Sequence, residues 1–233
     1  FQIAIPQPAH TYQVVGFINE HQLAIGETTW GGIAPLDKGN AEGIDYGNLI
    51  YVTLQRAKNC REAIRVMHEL VSTYGYADGG ESFSLADPNE VWLFEITSKG
   101  SEKGAVWVAR RVPEGYICGH ANQARITTFP LEGKRVKNSI SSKHIDRIME
   151  KEVECVYSED VITFAKKLGI DAYAAHPKFS EFSFADTYNP LTFSGLRGCE
   201  ARVYAMFNRV ADGMKRYEQF AMGDKDAERL PLW

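Results

Sequence analysis

From Cys60 to Tyr74 the apolar side chains Cys60, Ala63, Ile64, Met67, Val71 and Tyr74 recur at helical spacing. Asn59 just ahead of them and Glu62 three residues on form a capping-box pattern, and Gly75 supplies a stop. Tyr46 to Arg56 carries a second helical pattern immediately upstream, so two helices are expected in succession, with His68 on the solvent side. Elsewhere the rhythm is that of strands. Tyr12 to Phe17 and Leu23 to Gly26 flank the polar Asn19-Glu20-His21-Gln22 and predict a hairpin, which runs on into Glu27-Thr28-Thr29-Trp30-Gly31-Gly32. Ser82 to Ala86 and Val91 to Ile96 are separated by the turn residues Asp87-Pro88-Asn89. Ala105 to Val112 and Tyr116 to His120 are separated by Pro113-Glu114-Gly115 and predict a further hairpin. These strands are apolar at most positions rather than alternating, which calls for covering layers on both sides.

After Pro130 the character changes. Gly133 to Glu154 mixes charges of both signs, and residues 133–157 are expected to form a variable or mobile excursion. Ser158 to Leu168 predicts a short helix with Ser158 as cap and Gly169 as stop, and Asp171 to Gly198 is aromatic-rich without a clear period. Cys199 to Tyr217 returns to helical spacing through Val203, Met206, Phe207 and Val210, interrupted by Gly213. The coarse order is ββ, αα, ββββ, αα, expected as a single domain over residues 1–233.

Composition narrows the class. With 44% apolar and 24% charged residues the chain is too apolar for disorder. Twenty-six Lys plus Arg against 30 Asp plus Glu give a net charge of −4, which argues against a nucleic-acid partner. No apolar run approaches the ~18 residues that a membrane span requires. Cys60, Cys118, Cys155 and Cys199 lie far apart, without a CxxC pair or a histidine at zinc-site spacing, so neither a metal site nor a cofactor is expected. Each reads most simply as a small buried residue. The most suggestive chemistry lies in His120-Ala121-Asn122-Gln123-Ala124-Arg125-Ile126. A side-chain amide at a strand end is a good oxyanion donor, since it stabilises developing charge without a titrating proton. The same asparagine fits plain turn chemistry equally well.

Four segments, met in order, resemble the bacterial cysteine dipeptidases of the N-terminal-nucleophile hydrolase superfamily. They are Ile25 to Gly32 (IGETTWGG), Ile44 to Ile64 (IDYGNLIYVTLQRAKNCREAI), Gly80 to Ile96 (GESFSLADPNEVWLFEI) and Val106 to Ile126 (VWVARRVPEGYICGHANQARI). Asn189 to Tyr217 and the closing Leu230-Pro231-Leu232-Trp233 add to the likeness. The resemblance implies an α+β fold, a four-layer αββα sandwich of two antiparallel sheets between helical layers, here incomplete. It implies peptide hydrolysis by an N-terminal cysteine whose own α-amino group is the general base, through an acyl-enzyme that water releases, with no cofactor.

Residue by residue, the resemblance makes Asn122 the oxyanion-hole asparagine, Thr29 a second oxyanion-hole group and Arg202 the arginine that helps orient the cysteine. Glu27 fits either of two roles, a partner for the free amino group of a dipeptide or a structural hydrogen bond. None of the four cysteines fits the nucleophile's place, and the chain opens on Phe1, so the sequence is expected to be an internal piece of a longer enzyme, inactive alone and completed by the remainder of its own polypeptide. Two other readings stay open: an acyl-amide hydrolase of the penicillin or bile-salt amidase type, and a non-catalytic relative. Homo-oligomerisation, and location in the cytoplasm or the bacterial cell envelope, are undecided by the sequence.

Overall fold

The computed structural model describes residues 4–170 and 182–233. Its centre is one eight-stranded sheet in the order β1-β2-β3-β4-β5-β6-β8-β7. A short hairpin, β1 (Val14–Val15) and β2 (Ile18–Asn19), leads into β3 (Ala24–Trp30); its turn falls at Gly16-Phe17, inside the stretch expected as the first strand, and Asn19 is paired rather than in the turn. Then come α1 (Tyr46–Leu54) and α2 (Cys60–Tyr74), followed by the long meander β4 (Gly80–Ala86), β5 (Val91–Lys99) and β6 (Glu102–Arg111). All neighbours pair antiparallel except β7 (Ser139–Ser141) and β8 (Cys155–Tyr157), which run parallel, so the sheet is mixed.

Both faces of the meander are buried. On one face Ile25, Phe83, Leu85, Phe94, Ile96 and Trp107 pack against Leu49, Ile50, Leu54, Ile64, Met67 and Val71 of the two helices. Phe94 and Trp107 stack across β5 and β6 with ring centroids 5.0 Å apart. On the other face Leu93, Val106, Val108 and Tyr157 meet Ala124, Ile126, Phe129 and residues of α3 (Val161–Leu168) and α4 (Phe184–Tyr188). Continuous apolar strands follow from this double covering. Gly80 sits directly opposite Trp30, and a Cβ there would lie 2.3 Å from the indole, so the close approach needs glycine.

The signals of α2 act as read, while the expected cap of α3 does not. Asn59 accepts from Glu62 N at 2.9 Å, capping α2, and the Glu62 carboxylate reaches back to accept from Lys58 N, just ahead of the helix, at 2.9 Å. Gly75, at φ 86°, ends the helix. In α3 the stop is Gly169 in the left-handed region, but the N-cap position is Asp160, and Ser158 instead donates no cap: its hydroxyl accepts from Trp107 N.

Four further expectations are revised. His68 is half-buried against Trp107, 5.5 Å between ring centroids, because the helix is covered there by the end of the sheet rather than by solvent. Tyr116 to His120 does not return as a strand: β6 pairs with β8 instead, and the chain after Pro113 runs as irregular loop. Within 133–157 the polypeptide supplies β7, β8 and a 3-10 segment, Ser142–Met149, whose Ile148 is buried in the core. The last helical pattern is broken earlier than Gly213. After α5 (Phe193–Gly195) and a π-type segment, Leu196–Glu200, comes α6 (Ala201–Phe207), and a separate short helix α7 (Glu218–Ala221) follows. Of the aromatic stretch Asp171 to Gly198, residues 171–181 lie outside the described residues.

Candidate active site

Three of the four residues singled out by sequence meet at one edge of the sheet. β2 pairs with β3 only at its start, through Ile18 and Ala24, and among the described residues no strand pairs with the outer side of the later part of β3. The loop after β6 approaches that edge, and Asn122 donates from Nδ2 to the Thr29 carbonyl at 2.5 Å. Asn122 sits at φ 60°, in the left-handed region that asparagine tolerates better than most residues. From α6 Arg202 donates to Asn122 Oδ1 at 3.0 Å and to the Ala121 carbonyl at 3.0 Å, while its Nε donates to the Gly198 carbonyl at 2.6 Å. A guanidinium has no acceptor, so this contact fixes which end of the amide is oxygen. The nitrogen end then points to β3, and of its two N–H groups one serves Thr29 while the other has no protein partner among the described residues.

Thr29 enters the arrangement through its backbone carbonyl, an acceptor, while the residue itself is solvent-exposed. Its hydroxyl is not part of the Asn122 contact. Glu27 lies two residues back along β3, on the same face as Thr29, half-buried, and its Oε2 is buried without a hydrogen-bond partner.

The loop carrying Asn122 is held from both sides. His120 is clamped between strands, Nδ1 to Thr28 Oγ1 at 2.6 Å and Nε2 to Ser84 Oγ at 2.7 Å. Burial, with the nearby Arg125 charge, pushes its pKa down to about 4, so the ring is neutral. Glu95, fully buried in β5, accepts from the backbone N–H groups of Arg125 at 2.6 Å and Ile126 at 2.9 Å. Arg125 in turn pairs with Glu200 at 3.0 Å, both side chains 3% exposed, and donates to the carbonyls of Gly119, Pro231 and Leu232. Gln123 reaches the Asn189 carbonyl, and the Asn189 side chain accepts from Ala124 N. Sequence reading named Asn122 but not Glu95, Glu200 or Asn189. Each is a polar residue inside an apolar or irregular stretch, and its distant partner leaves no mark on local pattern.

None of the four cysteines takes part in the hydrogen bonds of Asn122 and Arg202. Burial pushes the Cys60 thiol far up, aided by the Asp87 charge, and holds Cys118 and Cys155 at about 11. Thiols so raised are poor nucleophiles at neutral pH. Cys199 is half-buried in the π-type segment. Among the described residues no three His, Cys, Asp or Glu side chains are placed to share a metal ion, and no helix is long and apolar enough to cross a membrane.

Curated relatives are bacterial. A "Probable dipeptidase" of Latilactobacillus sakei is 31% identical over 111 residues, which is 45% of this chain and 22% of the relative. A "Dipeptidase" of Bifidobacterium longum is 32% identical over 91 residues, 39% of this chain and 16% of the relative. A "Probable dipeptidase A" of Streptococcus pyogenes serotype M3 is 26% identical over 141 residues, 55% of this chain and 29% of the relative. The matched part thus spans less than a third of each relative's length. The family model described as peptidase family C69 matches residues 3–232, nearly from end to end, and the chain belongs to that family.

Proposed function

We propose that this chain is the core of a cysteine-type dipeptidase whose complete fold is the four-layer αββα sandwich, and that its thiol nucleophile is supplied by the remainder of its own polypeptide. The observation that carries the reading is the amide of Asn122, oriented by Arg202 and presenting a spare N–H at the open edge of β3. Such a donor suits a reaction in which negative charge develops on a carbonyl oxygen. In the proposed mechanism a thiolate attacks the dipeptide carbonyl and the oxygen gathers charge against the Asn122 N–H. The amine leaves, and water then releases the acyl group. Thr29 holds the amide in place through its carbonyl, and Arg202 acts on the nucleophile only through the geometry of Asn122. Glu27 offers a carboxylate to the substrate's free ammonium.

The raised thiols of Cys60, Cys118 and Cys155 support a nucleophile other than these. The 233-residue chain assayed alone is therefore expected to stay at background. The protein at its natural length should release amino acids from an unblocked dipeptide, and should keep that activity when Cys60, Cys118, Cys155 and Cys199 are each replaced by serine. Loss of turnover in one of these variants, with the fold intact, would move the nucleophile into this chain. Preference for an N-acylated substrate would favour an acyl-amide hydrolase instead.

A further inference from the structure

Residues 121–127, which include Asn122, belong to no strand, and the amides in their second half are held by side chains rather than by a ladder. Three consecutive N–H groups go to two distant residues. Ala124 N donates to Asn189 Oδ1 at 2.9 Å, Arg125 N to Glu95 Oε1 at 2.6 Å and Ile126 N to Glu95 Oε2 at 2.9 Å. Glu95 stands in the middle of β5 and is 0% exposed, so a single buried carboxyl anchors the loop to the sheet. Its Oε1 also accepts from the Ser82 hydroxyl at 3.3 Å. On the other side of Asn122, His120 ties the loop to Thr28 and Ser84. Asn122 is thus bracketed by two polar anchors.

We propose that Glu95 is a positioning residue for the reaction: its ionised carboxylate holds the Asn122 loop against the sheet, and protonation loosens it, so turnover requires Glu95 as the anion. This rests on the dipeptidase reading above. Each carboxyl oxygen has a backbone N–H aimed at it, and Oε1 serves two donors, Arg125 N and the Ser82 hydroxyl. An added proton sets a new donor among these donors, and the bonds that remain lose the charge that makes an amide–carboxylate bond about twice as strong as a neutral one. The nearer clamped amide is three residues from Asn122. A catalytic donor has to be held to ~0.5 Å, so slack at Arg125 and Ile126 is felt at the Asn122 amide.

Burial pushes the Glu95 carboxyl up to about 7, against the Arg125 and Ile126 amides, the Arg125 charge and the Ser82 hydroxyl, all of which favour the anion. From the loop side it faces the Arg125 guanidinium, shared with Glu200 at 3.0 Å, and the Cys118 thiol, which at about 11 stays neutral through this range. From β4 and β6 the residues paired with it are Ser82 and Val108, neither of them charged. The folded value lies above the ordinary 4.5, so between these limits the folded protein binds more protons than the unfolded chain. Stability from this group therefore falls as the pH rises through the window, while turnover rises toward its upper end. A carboxylate with a merely structural role would not set the two in opposition.

The test is the pH dependence of kcat on an unblocked dipeptide, with the protein at its natural length, read beside the infrared carboxylic-acid band of the same samples. Wild-type kcat should fall as the pH drops below about 7, by about tenfold per pH unit for this one proton, while a carboxylic-acid band grows in with the same midpoint. Glu95→Gln keeps the shape but cannot ionise. It should lack that band, turn over about tenfold or more slowly above the midpoint, and show an acid limb shallower by one proton. Ser82→Ala removes one donor to the carboxylate and leaves both amides in place, so it should move limb and band together to higher pH. This second variant decides the matter if Glu95→Gln does not fold. A limb of equal slope in folded Glu95→Gln, a limb that Ser82→Ala leaves in place, or no acid band titrating near 7 would overturn the role. The expected band in a protein that cleaves no dipeptide would leave the titrating anchor and remove the dipeptidase reading. Dipeptide hydrolysis with the same limb in all three proteins would do the reverse.

Discussion

Asn122 shows how far one residue can be read. Its place after an apolar strand and within HANQARI marks it in the sequence, but turn chemistry explains an asparagine there just as well. What separates the two readings is Arg202, eighty positions away, whose guanidinium contacts Oδ1 and so turns the nitrogen toward β3. Replacing Arg202 by alanine should lower kcat on a dipeptide on the order of 10–100-fold by freeing the amide to rotate. Arg202 is exposed, so the melting temperature should move little. A variant with wild-type kcat would deny it this positioning role. His120 gives a second prediction at the same scale. Its folded pKa of about 4 lies below the ordinary value of 6.5, so the unfolded chain binds more protons between those limits. Stability is accordingly intact above pH 6.5 and is lost as the pH falls through that window. Chemical denaturation at a series of pH values should show this slope in the wild type and a slope smaller by up to one proton in His120→Gln.

At the scale of elements, local chemistry was the part most open to reading. The Asn59 and Glu62 box and the terminal Gly75 of α2 depend only on neighbours, and each does what its residue type predicts. Asn59→Ala should cost about 1 kcal/mol of stability, measured by denaturant unfolding, and no loss would mean that the cap is idle. Where an element depends on distant partners, pattern misleads. Tyr116 to His120 has strand-like composition, but the strand position beside β6 is taken by β8, from the stretch whose charges suggested an excursion. His68 has the polarity of a surface residue, and it lies against Trp107 because the sheet extends farther over α2 than helical spacing reveals. The edge of β3 was likewise invisible, since which side of a strand stays unpaired is decided by its neighbours.

Across the whole molecule the site is tied to the far end of the chain. Arg125 and Glu200 form a buried pair that also gathers the carbonyls of Gly119, Pro231 and Leu232, joining the Asn122 loop, the approach to α6 and the C-terminal segment. Removing one partner leaves a buried charge, so Glu200→Ala should destabilise by about 3–5 kcal/mol, and a shift near zero in the unfolding midpoint would show the pair to be dispensable. The family relationship covers the same span, from residue 3 to residue 232, and the oxyanion role proposed for Asn122 is what would connect this fold to the proposed reaction. The most direct measurement is therefore steady-state hydrolysis of an unblocked dipeptide by the protein at its natural length, with Asn122→Ala beside the wild type. Loss of the amide donor should lower kcat by about 10²–10³ with little change in KM. Equal kcat in a folded Asn122→Ala variant would contradict the role assigned to this site.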